Sequence, residues 1–213
     1  MKRILIITCL LLTTLGTLVH AQQYGRDTRE NMRFGIKAGA NLANVWDAQG
    51  EDFRADPKLG FAGGIFLEIP IGKFLGFQPA LLYSQKGFKG DGTLLGSPYS
   101  LTRTLSYVDA PLLLQIKPSP FFTIALGPQF SYLINEKNVY TYGPNSVEQE
   151  QAFENDNIRK NVLGLLTGVD LNFSNLVISP RVGWDFQTNH GDGSSSTPRY
   201  KNRWIQLTVG LKI

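Results

Sequence analysis

Residues 176–188, LVISPRVGWDFQT, change character at every second position. Trp184 and Phe186 belong to an apolar set of alternate residues, whereas Arg181 and Asp185 belong to the polar set between them. Successive side chains of a strand point to opposite faces, so the stretch predicts a strand with one apolar and one polar face. Two surroundings suit such a strand: a soluble sheet with a core on one side, or a membrane barrel with lipid outside and a polar lumen.

Seven further segments alternate in the same way. The eight predicted strands cover residues 34–45, 58–71, 74–88, 105–117, 121–133, 162–173, 176–188 and 203–213. Their polar faces predict a lumen network of Lys37, Glu68, Gln78, Lys86, Asp109, Gln129, Asp170, Arg181, Asp185 and Lys212. On the apolar faces the charged residue is Arg203, at a strand end. A Lys or Arg facing lipid at the bilayer midplane costs ~2–4 kcal/mol, so a face cleared of charge favours lipid outside.

Residue size supports the same choice. Bulky side chains collect on the apolar face, and the polar face is rich in Gly, Ala and Ser. An eight-strand lumen is narrow, so we expect it to hold small and networked polar residues and the large residues to face outward. The predicted lipid-facing aromatic girdle consists of Phe77, Tyr83, Phe122, Phe130, Tyr132, Trp184 and Phe186.

The connections alternate between short and long. Residues 71–73, 118–120 and 174–175 are short links, and residues 46–57, 89–104, 134–161 and 189–202 are long and polar. Outer-membrane barrels have short periplasmic turns and long external loops. The sequence therefore predicts an all-β fold, an eight-stranded antiparallel up-and-down transmembrane β-barrel over residues 33–213, with both termini periplasmic. Pro79, Pro111, Pro128 and Pro180 fall inside strands, where we expect a bulge or an unpaired amide position.

The N-terminus reads as an export signal. Lys2 and Arg3 precede an apolar run, and residues 19–21, VHA, suit a cleavage site, so residues 1–21 predict a cleaved signal peptide and residues 22–32 a short periplasmic segment. An uncleaved anchor is the alternative. Loss of the two signal residues reduces 21 basic residues to 19 against 17 acidic ones, a weak excess that gives no support for a nucleic-acid partner. The single cysteine, Cys9, lies in the signal, which excludes disulfides and thiol chemistry in the mature chain.

Candidate chemistry is sparse. The charged lumen predicts either an internal salt-bridge network or a proton or ion path. His190, beside Asp192 and residues 194–196, could form a nucleophile–base pair, but a polar loop tip is the simpler interpretation. KGDGT at 89–93 and HGDGS at 190–194 lack the spaced carboxylates of a calcium loop. We expect no enzyme activity, metal or cofactor.

The loop at residues 134–161 is the predicted site for a protein partner. It combines acidic and aromatic side chains, and long loops are where binding residues concentrate. The residues concerned are Glu136, Tyr140, Tyr142, Glu148, Glu150, Phe153, Glu154 and Asp156.

Four motifs carry a family resemblance. GFQPALLYSQKGFK at 76–89, YVDAPLLLQIK at 107–117, ALGPQFSYLI at 125–134 and QLTVGLKI at 206–213 together resemble the PorT-like outer-membrane β-barrel family of Bacteroidota, which is similar to OmpX and OmpA barrels. The resemblance implies residence in a Gram-negative outer membrane. Ala80 departs from it, since many relatives have an acidic lumen residue there. One branch of the family resembles accessory factors of the Bacteroidota secretion system.

The predicted function is a non-enzymatic, monomeric barrel in contact with outer-membrane lipid, with a structural or interaction role through its external loops. The resemblance leaves a second possibility, an accessory factor of protein secretion. A small-solute, porin-like channel is a third, disfavoured because side chains fill the interior of an eight-strand barrel.

Overall fold

The computed structural model describes residues 27–46, 55–94, 97–142, 145–151, 159–189 and 200–213. The predicted export signal, His190 and the second Asp-Gly motif lie outside these ranges. No helix within them is long and apolar enough to cross a membrane. The described chain forms nine strands: β1 (Arg33–Trp46), β2 (Ala55–Pro70), β3 (Leu75–Leu94), β4 (Ser97–Ile116), β5 (Phe122–Tyr142), β6 (Asn145–Gln151), β7 (Asn161–Phe173), β8 (Leu176–Asp185) and β9 (Lys201–Lys212).

Eight of these strands close into an antiparallel barrel. Each pairs with its neighbour in the chain, except that β5 pairs with β7 around the short strand β6, and β9 closes the ring on β1. Closure leaves no free edge in the ring, so every strand has a partner on both sides. The predicted eight-stranded antiparallel barrel is confirmed.

Alternate residues point into and out of the barrel. In β9 buried and exposed positions alternate from Asn202 to Lys212. The outward residues of β5 include Leu126, which is 48% exposed, while its neighbour Ala125 is buried. The apolar set therefore lies outside and the polar set inside, which is the arrangement of a barrel surrounded by lipid.

The barrel has two unlike ends. One, called here the turn end, carries the short connections at residues 71–74, 117–121 and 174–175. At the other, called the loop end, β3, β4 and β5 continue well beyond the predicted strand limits. Two predicted loops, 89–104 and 134–161, are therefore wrong in large part, because β3 reaches Leu94, β4 begins at Ser97, and β5 and β6 form a hairpin. The sequence does not reveal these extensions, because polar residues interrupt the apolar alternation there. Backbone pairing between the strands holds them together.

The four prolines that were predicted to fall inside strands do not shift the register. At each proline one ladder loses its pairs and then resumes in the same register: Pro79 between β2 and β3, Pro111 between β3 and β4, Pro128 between β4 and β5, and Pro180 between β7 and β8. The register shifts occur elsewhere, between Pro57 and Ala62 and between Ser106 and Tyr107. Of the two expected outcomes, the unpaired amide position is confirmed at these prolines and the bulge is wrong.

The lumen also holds large apolar side chains, which corrects the expectation of a small and polar interior. Phe66, Leu82 and Trp204 are fully enclosed. Gly183 makes room for Trp204, since a Cβ at Gly183 would stand 2.3 Å from Cζ2 of the indole. A large inward residue on one strand is thus accommodated by a glycine on the next.

Candidate functional site: the charged lumen and the loop-end sheet

All ten residues of the predicted lumen network are buried inside the barrel. They fall into two groups. The turn-end cluster contains Lys37, Glu68, Gln78, Asp170, Arg181 and Lys212, and the loop-end cluster contains Lys86, Asp109, Gln129 and Asp185. On two strands an inward apolar side chain separates the groups: Leu82 lies between Gln78 and Lys86, and Leu113 lies between Asp109 and Gln115.

Glu68 is one centre of the turn-end cluster. Its Oε1 lies 2.7 Å from the Lys212 ammonium and accepts hydrogen bonds from Gln78 and Gln115, at 3.2 and 3.4 Å. Lys212 also donates to Asn172 Oδ1 at 2.6 Å. Charged hydrogen bonds of this kind offset the cost of removing both ions from water.

Asp170 is the second centre. Its Oδ1 accepts from Arg181 at 2.5 Å and from the Ser179 hydroxyl at 2.6 Å. Arg181 also donates to Gln78 Oε1 at 3.2 Å, which joins the two centres. The same guanidinium keeps Nε and Nη1 without a hydrogen-bond partner among the described residues.

The loop-end cluster is built around Lys86. Its ammonium lies 3.3 Å from Asp109 Oδ1, donates to Ser131 at 3.1 Å and stands 3.9 Å from the centroid of the Trp204 ring. Such a desolvated cation over an indole adds a favourable contact of about 2 kcal/mol. Asp185 accepts from Asn202 Nδ2 at 2.7 Å.

A third polar group, missed by the sequence analysis, lies above an apolar plug at the loop end. The plug consists of Val45, Phe88, Leu105, Tyr107, Leu133, Val162 and Tyr200. Beside it Arg103 Nε lies 3.3 Å from Glu136 Oε1 and donates to Asn138 at 2.9 Å. Arg103 Nη1 also meets the Tyr200 hydroxyl at 3.1 Å. We call Arg103, Glu136, Asn138 and Tyr200 the rim cluster.

The structure corrects the predicted exposure of Glu136 in the docking loop. It was expected on an exposed surface, but its side chain is 4% exposed and paired with Arg103. The reason is that β5 continues through this position, so alternate residues still point inward. Phe153, Glu154 and Asp156 lie outside the described residues.

The predicted girdle residues all point away from the lumen. Phe130, Tyr132, Tyr83 and Phe186 are exposed, and Phe77, Phe122 and Trp184 are half-buried. Tyr83 and Tyr132 are both register partners of Val108, so they share one level. At the turn end three further exposed aromatics complete a second ring, Phe74, Phe121 and Phe173, the last two in edge contact at 5.0 Å.

The segment before β1 lies against the turn end. Arg29 donates to the backbone carbonyls of Lys117 and Pro118, and the Lys117 ammonium donates to the Arg29 carbonyl at 3.4 Å. Arg29 also hydrogen bonds to Asp27, which holds the pKa of that exposed carboxyl well below its usual range. Within the described residues no group of three His, Cys, Asp or Glu side chains could hold a metal ion.

Known structures share this architecture. The chain is similar to Neisserial surface protein A, with 16% identity, a TM-score of 0.51, and coverage of 84% of this chain and 97% of that one. It also matches Ail, the attachment invasion locus protein of Yersinia pestis, at 13% identity, with 85% and 98% coverage and a TM-score of 0.46. It matches OprG from Pseudomonas aeruginosa at 13% identity, with coverage of 89% of this chain and 99% of that one and a TM-score of 0.43.

No curated protein matches the chain. At these identities the similarity to Neisserial surface protein A supports the fold alone. A family model, described as an outer membrane protein beta-barrel domain, matches residues 20–211. The match begins before β1 and ends one residue before the last residue of β9. The chain therefore belongs to the outer membrane protein beta-barrel domain family.

Proposed function

We propose that this protein is a plugged, non-enzymatic, monomeric barrel that displays a protein-binding β-sheet on the outer side of the outer membrane. The observation that carries this proposal is the continuation of β3, β4, β5 and β6 beyond the level of the loop-end aromatics. A strand needs only ~9–11 residues to cross a bilayer, yet β4 has 20 residues and β5 has 21. The extra length serves a structure outside the hydrocarbon. The short turns and both termini then lie in the periplasm.

The extension is a paired antiparallel sheet. β3 and β4 remain paired up to Leu94 and Ser97, and β4 and β5 up to Tyr99 and Tyr142. The apolar plug and the rim cluster pack beneath it. A surface held in this way loses little conformational entropy when a partner binds.

The β6 strand offers a place for that partner. Within the described residues β6 pairs with β5 alone, and no described strand lies along its other backbone edge. An extended segment of another protein can add to such an edge as a further strand. The sequence of β6, NSVEQEQ, contains two acidic residues and no basic one, which favours a partner segment with basic residues.

A photocrosslinking experiment tests this role. A photoreactive amino acid at Val147 of β6 is expected to crosslink one defined protein in intact cells, and the adduct should disappear when the other residues of β6 are replaced by a Gly-Ser sequence of equal length. The same group at lipid-facing Leu126 is the matched control and should give no protein adduct. Equal adducts at both positions, or none at Val147, would contradict the proposal.

The plug argues against the porin-like alternative. Apolar side chains span the lumen at two levels, the plug itself and the layer of Leu113, Leu166 and Trp204. An eight-strand interior of this kind leaves no room for a file of solvated ions. In a planar bilayer we expect no steady channel steps, and regular ohmic steps would favour a channel.

The PorT-like resemblance supports an accessory role in protein secretion as a second candidate. The motif YVDAPLLLQIK at 107–117, which contributes to it, places Asp109 and Gln115 in the lumen and Leu112 and Leu114 toward lipid. A deletion strain that retains secreted proteases on or inside the cell would support this role. Normal secretion by that strain would exclude the accessory role in secretion and would not affect the proposed display of a protein-binding sheet.

A further inference from the structure

The Lys37 ammonium lies inside the barrel without a carboxylate partner. Its side chain is 5% exposed, and its contact is with the Phe66 ring, whose centroid lies 5.2 Å from Nζ. Within the described residues it makes no hydrogen bond and no ion pair. An ammonium has three donors to satisfy, and one aromatic face cannot satisfy them.

The neighbouring carboxylates already have cationic partners. Glu68 is paired with Lys212 at 2.7 Å, and Asp170 is paired with Arg181 at 2.5 Å. The turn-end cluster thus contains three cations, Lys37, Arg181 and Lys212, and two carboxylates. An excess buried charge is costly unless something neutralises it.

Further donors without partners surround the same space. Arg181 Nε and Nη1 and the Thr208 hydroxyl lack hydrogen-bond partners among the described residues, and both side chains are 1% exposed. Thr208 lies on β9 between Ser179 of β8 and Gly39 of β1 in the register. Lys37 is two residues from Gly39 on the same inward face. Unsatisfied donors therefore lie on the inward faces of three adjacent strands, β1, β8 and β9, together with the unpartnered acceptors Asp170 Oδ2 of β7 and Gln206 Oε1 of β9.

The carboxylates of the loop-end cluster make their contacts within that cluster. Asp109 is engaged with Lys86, and Asp185 with Asn202. Leu82 and Leu113 stand on the lumen face between the two clusters. The turn-end cluster itself therefore has one carboxylate fewer than it has cations.

We propose that a small monovalent anion, chloride under ordinary conditions, binds in the lumen between Lys37, Thr208 and Arg181. One negative charge balances the one excess cation, whereas a divalent phosphate or sulfate would overcompensate it and is harder to strip of water. Position 80 supplies the second argument. Ala80 is the register partner of Phe66, whose ring centroid lies 5.2 Å from the Lys37 ammonium, so position 80 brings a methyl group and no carboxylate to this neighbourhood.

Crystals of the whole protein grown with sodium bromide test the site directly. Bromide scatters anomalously and replaces chloride. We expect an anomalous peak within hydrogen-bond distance of the Lys37 ammonium and Arg181 Nε, and its loss in Lys37→Met. Ordinary water density without an anomalous signal would overturn the proposal.

Thermal unfolding of the whole protein in detergent micelles tests it in solution. The melting temperature of the wild type should rise with bromide relative to gluconate at equal ionic strength, because a ligand that binds only the folded state stabilises it. Lys37→Met should lose that rise and should melt above the wild type in gluconate, since it removes an unpaired buried charge. Ala80→Glu should lose the rise as well, because its carboxylate takes the place of the anion.

Lys86→Met is the matched control. It removes a lumen lysine whose carboxylate partner is present, so it should lower the melting temperature but keep the bromide-dependent rise. Equal bromide effects in the wild type, Lys37→Met and Ala80→Glu would show a general salt effect and contradict the site. A crystal peak without any difference in solution would mark an adventitious ion only, which would also overturn it.

Discussion

Arg181 illustrates how a charge is kept inside a membrane barrel. Its guanidinium is 1% exposed and is held by Asp170, with Ser179 and Gln78 completing the network. Replacing both members of such a pair by apolar residues is often tolerated, whereas removing one leaves an uncompensated charge. The stability of the barrel therefore depends on Arg181 and Asp170 being present together, and not on the polarity of either residue alone.

Asp170→Asn should lower the free energy of unfolding by ~3–5 kcal/mol, because it leaves Arg181 buried beside a neutral amide. The double replacement Asp170→Asn with Arg181→Met should recover most of that loss. Urea titration of the refolded barrel in detergent measures both, with Asp56→Asn, at an exposed position of β2, as a control expected to change little. A double variant as unstable as the single one would contradict the pairing.

Alternation of residue types was enough to predict which way the charged side chains point, because a closed strand offers only two faces. It could not predict the large inward residues. Phe66 and Trp204 share the polar face of their strands, and the space for Trp204 depends on Gly183, which lies on another strand. Such fits between strands depend on register and are invisible along one segment. The unpaired state of Lys37 is invisible for the same reason.

The outward face of β5 shows how contact with lipid excludes charged residues from a strand. Leu126 lies in the middle of the apolar face, and Phe186 of the chain after β8 lies near the loop-end aromatics. Lipid penalises charge according to depth, while a soluble exterior would not.

Leu126→Arg should therefore destabilise the barrel by ~2–4 kcal/mol in lipid bilayers, whereas Phe186→Arg should cost about 0–1 kcal/mol. Both side chains are about half exposed, at 48% and 49%, so exposure alone predicts no difference. Reversible unfolding in bilayers of one lipid measures the two costs. Equal costs would mean that the two positions do not differ in membrane depth.

Strands β3, β4 and β5 were predicted correctly within the membrane and too short beyond it. Beyond the aromatic level hydrophobic alternation fades, and the sheet is held by backbone pairing, the apolar plug and the rim cluster. Contacts such as Arg103 with Glu136 join positions 33 residues apart and leave no mark on either segment alone. Apolar alternation thus predicts the part of each strand that crosses the bilayer and not the full length of the strand.

Arg103→Met should loosen this extension without opening the barrel. Arg103 joins β4 to Glu136 and Asn138 of β5 and to Tyr200 before β9, so its loss removes all three contacts. Hydrogen exchange should quicken in residues 99–106 and 135–142 and stay unchanged in residues 122–130. Lys89→Met, at an exposed position of β3, is the control. Faster exchange throughout the barrel would show that the extension is not an independent unit.

For the molecule as a whole, closure and two-faced strands together explain the composition. Closing the ring pairs both edges of the eight barrel strands, so the chain can present an uncharged surface to hydrocarbon while keeping a network of polar side chains inside. The short turns, the bands of aromatic residues at both ends of the barrel and the family match agree with this arrangement. It requires that the exposed apolar residues contact lipid and not another protein surface.

Spin labels on outward positions of β5 measure that contact. Labels at Ile124, Leu126 and Phe130, in a background without Cys9, should collide often with oxygen, which concentrates in the bilayer, and rarely with a water-soluble nickel complex. A label at Lys89, on the extension, should show the reverse. The predicted result is a high ratio of oxygen to nickel collisions that is greatest at Leu126. Frequent nickel collisions at Leu126, or protection from both reagents, would contradict a lipid-facing barrel.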